Sequence, residues 1–354
     1  MKPNQKFFNK SKLLPVDEFY KTVLYKKNYG YYSTKIPFGE KGDYITSPKI
    51  SYLFSEMIAI WLVSTWEVFN KPKKFYIVEL GPGDGSLTKV LLNTFKKFPK
   101  FNSSKKIYLY EKNKILKDLQ KKNINNKEIK WLNDLKKLKN GPIIFFGNEF
   151  LDAIPIKQFV RKKNLLFEKN YFIDKNFQIL KKFKKAQNRD LKIINSYKCL
   201  RQLKFIEFPK LGYELLKTIS KKVAQLKGCI LLIDYGYLKS NNQNTIQSVF
   251  KHKKNNPLNN LGKADITSHV NFKLLNEFFK KNNLKTKKTI SQSKFLRSLG
   301  IIERAEIINK KLLFKDQTNL YLRLKRLLSP NSMGNLFKVN LAYKFKKKDY
   351  AGFD

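Results

Sequence analysis

The chain has 354 residues, of which 42% are hydrophobic and 14% aromatic, enough for a full α/β core in one large domain or two. It has 74 lysine and arginine residues and 27 acidic ones, which gives a formal charge of +47. Two cysteines and two histidines exclude a disulfide framework and argue against a zinc site.

The positive charge has two interpretations. A basic protein can bind nucleic acid or a membrane surface. The lysines, however, are spread along the whole chain among Asn and Ile, as AT-rich coding produces, and no stretch carries a recognisable nucleic-acid motif. We favour coding bias and expect no nucleic-acid partner.

No targeting or membrane-spanning segment is predicted. The N-terminus leads into no apolar segment, the first 30 residues contain no arginine, and no run of 18 apolar residues occurs. These features predict a soluble, cytoplasmic protein without a transmembrane segment, from a bacterium with an AT-rich genome.

The N-terminal segment, residues 1–70, predicts two helices around a loop. Val16 to Tyr25 has apolar residues on one face, and Ser51 to Phe69 is a strongly apolar helix suited to packing on a sheet. Between them, Tyr29 to Pro48 is dense in glycine, proline and aromatic residues and fits neither regular element. Such a long irregular segment is commonly a functional loop. The alternative is a loop that only covers the core.

A strand, a glycine turn and a helix follow at the start of the predicted nucleotide-binding region, residues 71–156. The apolar run 75–80 predicts a buried strand, and apolar residues at helical spacing resume after position 86. Gly81, Gly83 and Gly85 separate the two elements. Glycine permits φ > 0 and lets a ligand lie against bare backbone, while the helix N-terminus supplies N–H groups.

The spacing of the glycines indicates which cofactor the turn binds. The dinucleotide fingerprint needs its third glycine at the position of Ser86. Gly81-x-Gly83-x-Gly85, with Glu79 two residues before it, resembles motif I of the class I S-adenosylmethionine (SAM) methyltransferases, where the turn packs against the methionine end of SAM. An ordinary tight turn is the alternative.

A second acidic residue supports this interpretation. The next predicted strand, 107–110, ends at Glu111, 26 residues after Gly85. A carboxylate at the end of this strand can accept hydrogen bonds from both ribose hydroxyls of a nucleotide. The alternative is a solvated strand end.

Polar residues also follow the buried strand predicted at 141–146. Asn148, Glu149 and Asp152 lie beyond its carboxyl end, where ligands bind in open α/β sheets. Amino-group methyltransferases carry an Asn/Asp-Pro-Pro-Tyr/Phe loop here, but Glu149 takes the first proline position. Carboxylates suit a guanidinium group instead. The alternative is a helix N-cap at Asn148 with acids that pair with the helix dipole.

The rest of the chain completes the predicted sheet. Short alternating runs at 165–167, 171–173 and 204–208 predict a strand-rich insertion over 157–227 rather than a separate domain. The core resumes over 228–354 with a central strand at 229–236, a helix at 274–279 and a closing strand at 333–343. His269 has no acid or nucleophile paired with it in sequence, so we interpret it as structural rather than as a catalytic base.

Taken in order, these blocks resemble one family, the MidA-type methyltransferases that assist the assembly of respiratory complex I. The block Asn-Glu-Phe-Leu-Asp-Ala-Ile-Pro at 148–155 is the most specific, and the likeness covers nearly the whole chain. The blocks are Tyr31-Tyr32, residues 38–48, residues 79–83, residues 148–155, residues 233–236, Gly262 with residues 264–267, and residues 333–339.

The resemblance implies an α/β fold with a class I SAM-methyltransferase (Rossmann-like) sheet, helices on both faces, an N-terminal helical and loop cap and a β-rich insertion. It implies transfer of the SAM methyl group to an arginine of a complex I core subunit; whether the protein forms a homodimer stays open. The implied roles are SAM binding by Glu79, Gly81, Gly83, Gly85 and Glu111, arginine binding by Asn148, Glu149 and Asp152, and a substrate loop that contains Tyr32, Gly42, Asp43 and Thr46.

Two departures from the family pattern affect the substrate loop. Lys49 stands where a glutamate is expected, and Lys35-Ile36 replaces a more acidic stretch. The altered loop leaves a second hypothesis open, an assembly protein that keeps the fold without turnover. A third, methylation of nucleic acid, rests only on the charge of +47.

Overall fold

The computed structural model describes residues 4–8, 13–34, 46–239, 242–345 and 349–353. The chain forms two compact units, each built from separate stretches of sequence. Unit 1 takes its described residues from Met1–Tyr44, Leu151–Lys217 and Tyr237–Phe278, and unit 2 from Ile45–Phe150, Thr218–Gly236 and Phe279–Asp354. This grouping differs from the four consecutive segments expected from sequence, because each unit combines stretches that are distant along the chain.

The secondary structure alternates between strands and helices along most of the chain. The strands are β1 (Leu14–Pro15), β2 (Phe75–Leu80), β3 (Lys105–Tyr110), β4 (Lys130–Trp131), β5 (Ile143–Asn148), β6 (Lys157–Lys162), β7 (Leu165–Ile173), β8 (Ile179–Lys185), β9 (Phe205–Phe208), β10 (Cys229–Tyr237), β11 (Gln247–Phe250), β12 (Lys253–Asn255), β13 (Asp265–Thr267), β14 (Val270–Asn271), β15 (Lys285–Thr286), β16 (Ile290–Ser291) and β17 (Phe337–Tyr343). The helices are α1 (Val16–Tyr25), α2 (Tyr31–Thr34), α3 (Ser47–Ile50), α4 (Tyr52–Val68), α5 (Ser86–Phe95), α6 (Pro99–Ser104), α7 (Lys114–Ile124), α8 (Asn188–Asn195), α9 (Lys210–Gln225), α10 (Phe272–Lys281), α11 (Gln292–Ser298), α12 (Ile301–Asn309), α13 (Phe314–Leu328) and α14 (Met333–Leu336).

The sheet of unit 2 has a parallel centre and an antiparallel edge. Strands β10, β5, β2, β3 and β4 lie side by side in that order and run parallel. Strand β17 pairs antiparallel with β10, and β15 and β16 pair antiparallel with β17. Since β3 lies on one side of β2 and β5 on the other, the strand order reverses at β2. Ligands bind at such a switch point in open α/β sheets.

The central strands of the unit 2 sheet are buried along nearly their whole length. Strands β2, β5 and β10 each bury consecutive residues, as expected for parallel strands covered on both faces. Helix α4 contributes the largest side chains, including Trp61, Phe54 and Leu62, all of them inaccessible to solvent. The sequence prediction of an apolar helix packed in the core is therefore confirmed, with Ser51 as the N-cap of α4 rather than its first residue.

Unit 1 contains two small sheets and its own core. One antiparallel sheet has the strand order β1, β7, β6, β9, with β8 paired to the same strand β7. The other has the order β12, β11, β13. Helix α1 places Phe19 and Val23 in an aromatic core with Tyr31 and Tyr171. Within the described residues, no helix of either unit has the length and apolarity needed to span a bilayer.

Three predicted elements differ from the structure. The closing strand begins at Phe337 rather than Met333, because pairing with β10 starts where Phe337 faces Tyr235 and the four preceding residues form α14. Residues 165–173 form one strand instead of two. The segment expected to be irregular, Tyr29–Pro48, has a short helix at each described end, and the second one tolerates Pro48 because it lies in the first turn.

Candidate active site

The glycine turn follows β2 and begins α5. Gly81, Gly83 and Gly85 have φ values of +63°, +57° and +83°, a region that residues with a side chain rarely adopt. The Gly81 N–H donates to the Tyr110 carbonyl oxygen at 3.1 Å, and the Gly85 N–H donates to the Pro82 carbonyl oxygen at 2.9 Å. The turn is thus fixed both to the end of β3 and to itself.

Neighbouring side chains pack closely on this turn. A Cβ atom added to Gly81 would lie 3.0 Å from Cδ2 of Phe150, and one added to Gly85 would lie 2.9 Å from Cδ1 of Ile124. The positive φ favours glycine at these positions, and a larger residue would also displace the neighbouring side chains of Phe150 and Ile124. Phe150 also brings the segment after β5 against the turn after β2.

Glu79 lies under the turn rather than open to solvent. Its side chain is 3% exposed and accepts a hydrogen bond from the Thr88 hydroxyl on α5. Burial raises the pKa of Glu79 to about 7; the hydrogen bond from Thr88 opposes this shift, and the charge of Asp84 adds to it. Its described contact thus joins β2 to α5, and its predicted role in SAM binding stays a prediction.

We expect the stability of the protein to depend on the ionisation of Glu79. Its folded-state pKa of about 7 lies above the ordinary value of 4.5, so the folded protein holds a proton that the unfolded chain has lost. Stability should therefore fall as the pH rises from about 4.5 to about 7, by up to about 3 kcal/mol. Urea unfolding of Glu79→Gln should lack this part of the pH dependence, whereas Glu67→Gln, on the surface, should retain it.

Glu111 stands at the end of β3, next to the turn. It is half-buried, and its Oε1 accepts the Asn113 N–H at 2.8 Å. Burial raises the pKa of Glu111, and backbone hydrogen bonds from Asn113 and Lys112 lower it. A partly buried carboxylate at this edge of the sheet can accept hydroxyl donors, as the sequence predicts for the ribose.

Side chains of α7 and β4 hold the turn from behind, and no pattern in the sequence predicts them. Gln120 Nε2 donates to the Gly83 carbonyl oxygen at 2.8 Å and to Glu111 Oε2 at 3.4 Å. The indole N–H of Trp131 donates to Gln120 Oε1 at 2.8 Å, and Asn123 Nδ2 donates to the Asp84 carbonyl oxygen at 2.9 Å. These bonds link the glycine turn to the strand end that carries Glu111.

Replacing Gln120 with leucine should lower SAM affinity by about tenfold, the effect of losing one or two net hydrogen bonds that position the turn. Calorimetric titration with SAM measures this change. Gln317→Leu is a matched control, since Gln317 donates to the carbonyl oxygens of Asn309 and Leu312 and touches none of these residues. Equal affinities in the two variants would contradict a role of Gln120 in the turn.

A second polar turn follows β5. Glu149 has φ of +52°, an uncommon conformation for a residue with a side chain, and its N–H donates to the Ile233 carbonyl oxygen at 2.9 Å. Glu149 Oε1 accepts the Ser47 N–H at 3.2 Å and Asn148 Nδ2 at 2.9 Å. Backbone strain of this kind concentrates at functional sites.

Two polar atoms beside Glu149 are buried without a partner. Among the described residues, Asn148 Oδ1 and Ser47 Oγ have no hydrogen-bond partner. A buried polar atom without a partner is costly, and a ligand that supplies one removes the cost. Asn148 Oδ1 is an acceptor, so the arrangement favours a ligand with N–H or O–H donors.

Lys49, for which the resemblance predicts a glutamate, lies on α3 between these two turns. Its Nζ is 2.8 Å from Asp84 Oδ2, with both side chains mostly buried. Helix α3 therefore contacts the glycine turn through Lys49 and the Glu149 turn through Ser47. The lysine makes a defined contact at the position where the resemblance leads us to expect an acid.

The other predicted site residues are placed as follows. Asp152, in unit 1, is buried; its Oδ1 accepts the Ala153 N–H at 2.8 Å, and its carbonyl oxygen accepts the Ser268 N–H at 3.0 Å. The Tyr32 hydroxyl, also in unit 1, donates to Asp265 Oδ1 at 3.1 Å. Thr46 precedes α3 as its N-cap without a side-chain hydrogen bond. Gly42 and Asp43 lie outside the described residues.

Solved structures share this fold. A crystal structure from Burkholderia thailandensis bound to S-adenosyl-homocysteine superposes with a TM-score of 0.78 at 21% identity, covering 97% of this chain and 89% of that one. A second structure from the same organism gives 0.79 at 20% identity, covering 96% and 90%. The predicted class I methyltransferase fold is confirmed.

Similar proteins are named as arginine methyltransferases. The protein arginine methyltransferase NDUFAF7, mitochondrial, of Xenopus laevis is 27% identical over 352 residues, 92% of this chain and 80% of that protein. The human protein of the same name is 26% identical over 353 residues, which cover 92% of this chain and 78% of that protein.

Our prediction of a cytoplasmic location is wrong, because these relatives are named as mitochondrial proteins.

The family model that matches residues 57–290 describes S-adenosyl-L-methionine-dependent methyltransferases. The match includes β2, the glycine turn, Glu111 and the Glu149 turn. The residues present fit the cofactor, since the turn offers bare backbone at three glycines of positive φ, and Glu111 offers a carboxylate at the neighbouring strand end. The chain therefore belongs to the SAM-dependent methyltransferase family, and SAM is its cofactor.

Proposed function

We propose that the methyl acceptor is an arginine side chain of a protein, and that this protein is a core subunit of respiratory complex I methylated during assembly. The observation that carries the proposal is the polar turn after β5, with the Glu149 carboxylate beside the unpartnered Asn148 Oδ1. The names of the relatives support an arginine acceptor. The resemblance of residues 148–155 to the complex I assembly family supports the subunit.

The turn after β5 is suitably placed for this chemistry. Strands β2 and β5 are parallel neighbours, so the residues after them meet at the same edge of the sheet. The side chain of Phe150 lies against Gly81. An acceptor held at Glu149 would therefore lie beside the cofactor turn, as an in-line displacement requires.

The residues on the two sides of the site have different proposed tasks. We propose that Gly81, Gly83 and Gly85 hold the methionine end of SAM, that Glu111 accepts its ribose hydroxyls, and that Glu79 supports the turn from below. SAM supplies a methyl group made electrophilic by the sulfonium sulfur. The chain contributes position and charge, because the reaction needs no covalent help from the protein.

The acceptor side must bind and orient a guanidinium group. A carboxylate can accept paired N–H bonds from guanidinium, which fixes the plane of the group and the direction of the reacting nitrogen. One nitrogen of the arginine gains the methyl group and releases its proton to solvent, so the guanidinium keeps its positive charge. The negative charge of Glu149 therefore stabilises it before and after transfer. Asn148 Oδ1 would accept a further N–H. We propose a role in arginine binding for Asp152 as well, because it lies in the same sequence block, 148–155.

We also propose that the loop with Tyr32, Gly42, Asp43 and Thr46 contributes to substrate binding. The Thr46 end of this loop leads directly into α3, whose Ser47 N–H donates to Glu149. The described end of this segment is therefore linked to the Glu149 carboxylate through α3. The contact between Lys49 and Asp84 gives the same helix a link to the cofactor turn.

The test is methyl transfer from isotopically labelled SAM to purified complex I core subunits, offered one at a time. Mass spectrometry should find the label on an arginine of one subunit, and its replacement by lysine should abolish labelling. Label on another residue type, or on RNA or DNA alone, would reject the arginine acceptor. SAM binding without transfer to any subunit would favour an assembly protein that no longer turns over.

A further inference from the structure

The surface formed by α12, α13 and the connection between them exposes unusually much apolar area. Leu313 is 79% exposed and Phe314 is 84% exposed, more than any other large apolar side chain among the described residues. Ile307, Tyr321 and Leu322 are also more than half exposed. The remaining large apolar side chains in the described ranges are less than half exposed. Five such side chains in sixteen consecutive residues mark an interaction surface rather than scattered exposure.

The fold of α13 does not require this exposed face. The helix packs on the core of unit 2 through Leu320, Leu327 and Leu328, all of which are buried. Phe314, Tyr321 and Leu322 are spaced by seven and eight residues, so they lie on one side of α13. Leu328 continues this spacing but is buried, so the same side of the helix is exposed over its first turns and joins the core at its C-terminal end.

Exposed cations lie close in sequence to the exposed apolar side chains. Residues 306–326 contain six lysines and arginines and two acids, a net charge of +4, and all eight are exposed or nearly so. Lys311 and Lys315 flank the Leu313-Phe314 pair, and Lys325 lies on the same side of α13 as Phe314 and Tyr321. An apolar surface flanked by positive charges is complementary to a partner whose outer layer is negatively charged and whose interior is apolar.

We propose that this α12–α13 surface docks the protein on an anionic lipid bilayer. Leu313 and Phe314 would enter the interfacial region, and the flanking lysines would reach the phosphate groups with their apolar stems along the boundary. Anionic lipid headgroups attract such basic segments, and aromatic side chains settle at the interface. The proposal concerns peripheral attachment and is independent of the methyl acceptor.

Two other occupants fit the surface less well. A second copy of the chain would bring the same cations together on a protein that already carries a formal charge of +47. An acidic protein groove that accepts a helix needs apolar anchors at helical spacing along one face. On α13 that face contains Thr318 and Lys325 between and beyond the apolar residues, so its apolar stripe is interrupted.

Vesicle flotation tests the proposal with the full-length protein. Native protein should bind vesicles of phosphatidylcholine with phosphatidylglycerol at physiological salt, and bind pure phosphatidylcholine vesicles much less. The double variant Leu313→Ser with Phe314→Ser should partition about tenfold less strongly, because two side chains that enter the interface are lost. Both side chains are exposed, so SAM affinity should be unchanged and serves as the test of folding.

The matched control is Leu180→Ser with Phe183→Ser. These side chains are about 40% exposed among the lysines of β8 and offer similar chemistry on unit 1. This variant should bind anionic vesicles as the native protein does. Absence of native binding, or equal loss in both double variants, would overturn the proposal. The proposal would also be overturned if the native protein were a dimer that dissociates only in the variant Leu313→Ser with Phe314→Ser. Binding of polyglutamate as tight as binding of anionic vesicles, retained by both double variants, would overturn it as well.

Discussion

Replacing Gly83 with valine is expected to lower the affinity for SAM by about a thousandfold or more, about 4 kcal/mol. Gly83 has φ of +57°, and a β-branched residue is a genuine outlier in that region. The chain cannot easily move out of the way, because Gln120 holds the Gly83 carbonyl oxygen at 2.8 Å. A valine would therefore distort the turn and place methyl groups where the cofactor must approach the backbone. Calorimetric titration with SAM measures the loss.

A second glycine of positive φ provides the control. Gly300 has φ of +85° at the N-terminus of α12, and a Cβ atom there would meet only Glu303 Oε2, at 3.6 Å. Gly300→Val should cost stability through the same backbone strain but leave SAM affinity within about threefold. If folded Gly83→Val protein bound SAM as tightly as the Gly300→Val control, the glycine turn would not be the cofactor site.

The parts of the site that sequence predicts are those encoded locally. The strand at 75–80 is a continuous apolar run, three alternate glycines specify a turn, and helical spacing begins directly after it. The structure has β2, three glycines of positive φ and α5 in these places. Helix α1 likewise has the predicted bounds, Val16–Tyr25, because the spacing that defines its apolar face is complete within these ten residues.

The contacts that support the site could not be predicted, because they join residues far apart in sequence. Gln120 reaches Gly83 across 37 positions, and Ser47 reaches Glu149 across 102. A glutamine on a helix surface and a serine before a proline are common, so neither forms a pattern that indicates a partner. Only the packing of α7 and α3 against the two turns selects them.

The division of the chain into two units could not be predicted from the sequence either. The short alternating runs of residues 157–227 predict strands, and the structure has β6 to β9 there together with helices α8 and α9. Their partners come from elsewhere in the chain, since Leu14 of β1 pairs with Tyr171 of β7. Pairing between segments separated by about 150 residues depends on tertiary packing, which periodicity does not encode.

Replacing Glu149 with glutamine should reduce the rate of methyl transfer by about a thousandfold, within the range seen when one preorganised charge or donor is removed from an active site. Glutamine keeps the shape of the side chain and can still accept the Ser47 N–H, so the turn after β5 should persist. The substitution removes the negative charge and places an N–H donor where the guanidinium must donate. Loss should therefore appear in transfer, with SAM affinity within about threefold of native.

Two further variants separate charge from structure. Glu149→Asp keeps the charge on a shorter side chain and should recover part of the activity, whereas a purely structural role would be better served by glutamine. Glu67→Gln removes a surface carboxylate, 52% exposed and paired with Lys71, and should transfer methyl groups at the native rate. If Glu149→Gln transferred within a few-fold of Glu67→Gln, the carboxylate would not face the acceptor, and the guanidinium would have to be bound by other groups.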